Sequence, residues 1–147
     1  MSRSKSRSAA RLAAVQALYQ QEMEGTGTAQ LIHEFHEHRL GQVIEDVQYA
    51  EAEVLFFDDI VAGVLARKDE LDEKIAAKLS EGWSLSRLDR AMRAILRAGT
   101  YELVARPDVP RASVIDEYVD VADAFFDARE KGFVNGLLDA IAKDVRG

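Results

Sequence analysis

The chain has 147 residues, a net charge of −7 and no cysteine. That length suits one domain able to bury about 68 to 70% of its unfolded surface. The lack of cysteine excludes disulfides, thiolate zinc sites, iron–sulfur clusters and a cysteine nucleophile, and it fits a reducing compartment. No apolar run approaches the roughly 18 residues needed to span a bilayer, and no apolar stretch follows the Ser/Arg N-terminus as in a secretory leader. The sequence therefore reads as a soluble cytoplasmic protein.

The charge is unevenly spread. Residues 1–21 carry Arg3, Lys5, Arg7 and Arg11 and no acid, which leaves −11 on the remaining 126 residues. An acidic body repels phosphate wherever it is not overridden locally, so any nucleic acid would be met at one directed site.

In chain order, MSRSKSRS has nothing to bury and is expected to be a flexible basic tail. From Ser8, read as an N-cap, Leu12, Val15, Tyr19 and Met23 recur at helical spacing until Gly25 stops the helix. Cations at the start of a helix oppose its dipole, so the basic tail calls for a reason other than folding. After the turn at TGT (26–28), Leu31, Ile32, Phe35 and Leu40 mark a short second helix. Its HEFHEH stretch lacks the two histidines four apart of a zincin, and no metal site is expected there.

Residues 44–66 follow helical spacing through Val54, Phe57, Ile60, Val61, Val64 and Leu65 and are expected to form the most buried helix, with Gly63 marking a close helix contact. A shorter amphipathic helix carries Leu71, Ile75 and Leu79 and closes at Gly82. The next helix is read from Ser86 to Val104. At about 100° per residue, Leu88, Met92, Ile95, Leu96, Gly99 and Leu103 gather on one buried arc, while Arg87, Arg90, Arg93 and Arg97 share an opposite arc that should be wet and positive. A solvated face with Asp89 as a local ion partner is the plainer account of those arginines.

RPDVPR breaks the chain. Pro110 is expected in the first turn of a helix capped by Ser113 with Asp116, whose apolar face holds Val114, Ile115, Tyr118, Val119, Ala122 and Phe125. A last helix begins near Lys131, with Phe133, Leu137 and Ile141 on one face and Gly136 permitting a close crossing. Nothing reads as a strand. The expected product is an all-α bundle of six or seven helices.

Four blocks, RLAAVQALYQ (11–20), AILRAGTYEL (94–103), DVPRASVIDEYVDVADAF (108–125) and GFVNGLLDAIA (132–142), together resemble the NusB family of bacterial transcription antitermination factors. The resemblance spans nearly the whole chain apart from 24–50. It implies two small helical subdomains, no catalysis and no cofactor. It also implies binding of single-stranded boxA RNA, a heterodimer with the ribosomal protein NusE, and action on RNA polymerase with other Nus factors. Carried over block by block, the RNA-binding residues would be Arg3, Lys5, Arg7, Arg11, Tyr19, Arg90, Arg93, Arg97, Phe133 and Asn135. The cations before the first helix are interleaved with serines, where family members often have a denser arginine cluster.

The residue types suit this task. Single-stranded RNA is held by cations on phosphates, aromatics stacked on bases and amides paired with base edges. The N-terminal cations would meet the Arg90, Arg93, Arg97 stripe if the first helix packs alongside the central one. Core packing is the plainer account of Tyr19 and Phe133, and Asn135 could equally bond a neighbouring backbone group. For the partner, Asp116, Glu117, Asp120 and Asp123 could complement a basic ribosomal protein; ordinary helix solvation is the alternative. A homodimer of the free chain is compatible with the pattern.

Three rival readings are weaker. The helical RNA-binding part of an rRNA cytosine methyltransferase is similar, but that enzyme needs a cysteine and an α/β domain that this sequence lacks. A peripheral membrane helix would need larger apolar anchors than the alanines of helix one. A non-catalytic interaction scaffold would leave the basic residues without a ligand.

Overall fold

In a computed structural model that describes residues 3–36 and 51–146, seven α-helices and one 3-10 turn account for the regular structure, with no strand among the described residues. They are α1 (Arg3–Glu24), α2 (Thr28–Glu34), α3 (Glu51–Ala66), α4 (Lys68–Ala76), the turn Leu85–Arg87, α5 (Arg90–Ala105), α6 (Arg111–Asp123) and α7 (Ala128–Arg146). The expected Leu40, residues 44–50 of the third helix, and the side chains of Arg3 and Lys5 lie outside the described residues.

The organising element is α5, which touches α1, α3, α4, α6 and α7. Asp89 caps it, accepting a hydrogen bond from the Ala91 amide at 2.8 Å. The helix thus starts four residues later than the periodicity suggests, and Arg87 is left in the preceding 3-10 turn. At the other end Arg146 of α7 donates to the carbonyls of Leu103 (2.9 Å), Arg106 (2.8 Å), Val109 (2.7 Å) and Glu102 (3.2 Å). One guanidinium thereby ties the end of α5 to the turn that follows and satisfies the Leu103 carbonyl, which the helix end leaves without an intrahelical partner.

Between those caps α5 is buried nearly all round. Every residue from Ala91 to Leu103 except Arg93 is buried, including Arg97, Thr100 and Glu102. The expected division into a dry arc and a wet arc is therefore corrected: neighbours pack on both. It is α5, rather than the 44–66 segment, that is the most enclosed helix, since α3 leaves Leu55 exposed. One continuous cluster of buried apolar residues joins α1 through α7, so the two expected subdomains share a core.

Close crossings fall at Gly63 and Gly99. A Cβ on Gly63 would stand 2.2 Å from the Tyr101 ring, and one on Gly99 would stand 2.9 Å from Leu138. Gly136, expected to serve this purpose, has open space around it.

Helix boundaries moved for physical reasons. The tail is helical from Arg3, and Ser8 lies inside α1 rather than capping it. Arg7 stacks over Phe56 and pairs with Glu53, and the Ser8 hydroxyl is hydrogen-bonded to Glu117, so charged contacts order a stretch with no apolar residue to bury. Pro110 sits at the cap of α6 and Ser113 inside it, so no Ser113–Asp116 capping box forms. Starting at Ala128, α7 carries Phe133 within its second turn.

Gly63→Ala should destabilise the fold by about 1 to 3 kcal/mol, because Tyr101 is buried and its hydroxyl donates to Asp59 at 2.7 Å, leaving the ring little room to retreat. Urea denaturation measures this. Gly136→Ala should be neutral or slightly stabilising in the same experiment.

Candidate nucleic-acid interface

The positive charge is built on two helices that run antiparallel. Near its start α1 meets the C-terminal half of α5 through Arg11 and Glu102; near its end it meets the N-terminal half of α5 through Glu22, Arg93 and Arg97. Each junction converts an expected phosphate ligand into part of the fold.

At the first junction Arg11, only 3% exposed, forks onto the fully buried Glu102 (Nε to Oε2 2.8 Å, Nη2 to Oε1 3.0 Å). The buried Tyr118 hydroxyl donates to the same carboxylate at 2.5 Å. Burial alone would lower the Arg11 pKa, but its hydrogen bond to Glu102 and the charge of that carboxylate more than offset this, and the net shift is upward. Burial, reinforced by the negative Glu102, pushes the Tyr118 phenol well above its ordinary value. Arg11 is therefore a fixed internal cation, whose guanidinium also lies over the Phe56 ring at 5.0 Å. Arg7 and Arg106 stack on that ring too, at 4.4 and 4.8 Å.

At the second junction Arg97 forks onto Asp72 (Nε 2.7 Å, Nη2 3.0 Å) and reaches Glu22 with Nη1 at 3.4 Å. Arg93 donates to the carbonyls of Leu88 (2.6 Å), Ser86 (3.3 Å) and Leu85 (3.4 Å) and pairs with Glu22. Of the stripe, Arg87 and Arg90 are exposed.

The antiparallel packing also separates the two groups of cations. From Glu102, level with Arg11, back to Arg90 the helix axis runs about 18 Å at about 1.5 Å per residue. Arg7 lies beyond Arg11, further from Arg90 still. The structure therefore does not bring the basic start of α1 and Arg90 into one patch: the expected cradle is two positive regions at opposite ends of the bundle.

Two clefts carry exposed aromatic side chains. Tyr19, 37% exposed, lines a cleft of about 380 Å³ with Met23, Phe35 and Phe125. Phe125 lies 6.3 Å, centroid to centroid, from Phe126. Phe126 in turn lines a larger cleft of about 520 Å³ with Phe133, Trp83, Arg87, Met92 and Arg129. The two clefts are thus each lined by one of two consecutive phenylalanines in the α6–α7 connection. Phe133 is 38% and Trp83 58% exposed, more than packing alone requires. Trp83, Phe126 and Arg129 are not among the residues expected from the sequence; for Trp83 the available signal is an aromatic outside any apolar stripe. Asn135 is exposed on α7.

The four acids differ. Asp116 and Asp120 are exposed on α6. Asp123 is paired with Lys131 at 2.9 Å, and Glu117 is tied inward by Ser8 (2.8 and 2.9 Å) and Arg11 (3.6 Å). His36 contacts Asp58 at 2.6 Å, and no group of three potential metal ligands occurs among the described residues. Nor is any helix among them long and apolar enough to cross a membrane.

The NusB family model matches residues 8–143. The chain is 72% identical over 144 residues to the transcription antitermination protein NusB of Sphingopyxis alaskensis, covering 98% of this chain and 97% of the relative. It is 66% identical to that of Novosphingobium aromaticivorans, over 97% and 96%. Its structure is similar to NusB of T. maritima (TM-score 0.74, 31% identity, 94% and 91% covered). It is also similar to a chain in the crystal structure of the antitermination factors NusB and NusE in complex with dsRNA (TM-score 0.77, 26% identity, 98% and 99% covered).

Two measurements test the geometry. Arg11→Ala leaves Glu102 buried without its cation and should cost about 3 to 5 kcal/mol in chemical denaturation, whereas Arg90→Ala should cost less than about 0.5 kcal/mol. Burial raises the Glu22 carboxyl pKa, but the Arg93 hydrogen bond and the charges of Arg93 and Arg97 outweigh it, so the group titrates below its ordinary 4.5. Its contribution to stability is accordingly complete above that value and lost as pH falls through the lower folded-state value. Glu22→Gln should flatten the acid limb of a stability–pH curve below about pH 4.5 and leave the slope near neutrality unchanged.

Proposed function

This chain belongs to the NusB family, and from that footing we propose that it is a transcription antitermination factor that binds single-stranded boxA-type RNA together with the ribosomal protein NusE. In this role it acts in the cytoplasm, on RNA polymerase engaged in ribosomal RNA transcription. It is not an enzyme. The observation that carries the reading is its likeness, over 98% of its length, to a chain of the NusB–NusE–dsRNA complex.

Physical features of the chain support the RNA half. Aromatic faces bind splayed bases without regard to sequence, at about 1 to 3 kcal/mol per stacked base, and they do so beside cations that track the backbone. The residues from Tyr19 through Phe125 and Phe126 to Phe133 and Trp83, with Arg87 and Arg129 in the same lining, have that composition. A duplex keeps its bases stacked inside and would leave them unused. Arg3, Lys5 and Arg7 form the second cationic contact, with Arg11 as the internal anchor of the helix that carries them. Arg93 and Arg97 shape the surface next to Arg90, and Asn135 offers an exposed amide on α7.

The NusE half is assigned to the exposed acids of α6. Asp116 and Asp120, with Asp123 at the helix end, complement a basic ribosomal protein; Glu117 contributes from within, through Ser8 and Arg11.

Fluorescence anisotropy with a boxA-like strand, a scrambled strand and a duplex, over a salt series with and without NusE, tests the reading. The boxA-like strand should bind tightest, more so with NusE, and equal binding of all three RNAs would overturn it. Arg90→Ala should weaken binding and reduce the salt slope by about 0.7, as should each neutralised tail cation. Asp116→Asn with Asp120→Asn should weaken the heterodimer and spare binding of RNA alone.

A further inference from the structure

The Glu22 carboxylate holds its two oxygens against two different guanidiniums, Oε1 on Arg93 Nη2 and Oε2 on Arg97 Nη1. The far side of each guanidinium is anchored elsewhere: Arg93 through Nη1 on the Leu88 carbonyl (2.6 Å), Arg97 through Nε and Nη2 on both oxygens of Asp72. Two donors are thus aimed at one point by contacts that do not involve Glu22. A phosphodiester, like a carboxylate, offers two oxygens to such a pair.

Of the three side chains in this junction, Glu22 is the most open to solvent. It stands in the last turn of α1, just before Gly25 ends the helix in the left-handed region (φ 71°), and its side chain keeps 21% of its surface accessible. A cleft of about 380 Å³ opens on the same spot, lined by Glu22, Asp72, Leu85, Ser86, Arg93 and Arg97. Leu85 and Ser86 of its lining run directly into Arg87 and Leu88, which line the aromatic cleft.

We propose that Arg93 and Arg97 form an oxyanion-binding fork occupied in the free protein by Glu22, and that an RNA phosphate engages it by displacing that carboxylate. The inference rests on the RNA-binding reading above. It deepens that reading by making Glu22 a specificity-determining residue. Exchange of one anion for another avoids leaving two largely buried guanidiniums unpaired, and the released carboxylate is returned to water. An internal competitor also raises the threshold that a casual polyanion must pass, so only RNA already held by stacking next to the fork opens it.

Glu22→Gln keeps the shape and removes the competing charge. Compared with wild type, it should bind boxA-like RNA roughly tenfold more tightly at low salt, with a salt slope steeper by about 0.7, and should gain most for the scrambled strand. Inorganic phosphate, at ionic strength matched with chloride, should raise the Tm of Glu22→Gln by about 3 °C and that of wild type by much less. Glu22→Asp, which keeps the charge but shortens its reach, should fall between the two and serves should the glutamine variant fold poorly. Asp72→Asn should lose affinity, because Arg97 is then no longer aimed. A phosphate response without RNA binding by either protein would overturn the function and leave the fork. Unchanged or weaker RNA binding by Glu22→Gln, with no phosphate response, would overturn the fork and leave the function.

Discussion

Two ion-pair junctions between α1 and α5 set the geometry of this protein. One is the buried Arg11–Glu102 fork with Tyr118, and the other joins Glu22 to Arg93 and Arg97. Their separation along both helices fixes direction as well as contact: α1 has to run antiparallel to α5, with its basic start at the far end from Arg90. Buried charges are expensive to desolvate, and truncating one partner is costlier than never having had the pair. Such junctions therefore specify register more than they add stability, and here the register decides where a polyanion finds cations.

The consequence is a division of labour among arginines that look alike in sequence. Arg11 and Arg146 are consumed inside the molecule, on Glu102 and on carbonyls at the end of α5. Arg87 and Arg129 line the cleft that holds Trp83 and Phe133, and Arg90 is exposed at the start of α5. Arg93 and Arg97 belong to both groups, each anchored on one side and aimed at the Glu22 carboxylate on the other. An acidic exterior with localised cations beside exposed aromatics favours a directed ligand over general attraction to polyanions.

Much of the fold was legible because helical periodicity reports burial directly. The number of helices, the stop at Gly25, the tight contact at Gly63 and the break at RPDVPR all follow from local chemistry. The surroundings of α5 were not legible. A four-arginine arc reads as solvated only if nothing charged packs against it, and the sequence does not say that Glu22 and Asp72, on other helices, come to meet it. The order in the tail was missed for the same reason: Phe56, Glu53 and Glu117 are remote in sequence. Tyr19 and Phe133 are legible from their blocks; Trp83 is not, because it falls on no apolar stripe, and Phe126 continues the Ile115, Val119, Ala122 stripe and so reads as core, against which it packs while also lining a cleft. The acids of α6 could be named from the sequence, but not that Glu117 turns inward while Asp116 and Asp120 face water.

The most direct test of the central claim, that cations at opposite ends of an antiparallel helix pair are bridged by an aromatic strip, is to map one RNA strand on the protein. Photo-crosslinkers placed at position 7 in α1 and at position 133 in α7 should each capture a boxA-like strand. The nucleotides captured should lie several apart, with position 19 taking those in between. Capture of one and the same nucleotide from positions 7 and 133, or from position 7 alone, would contradict it.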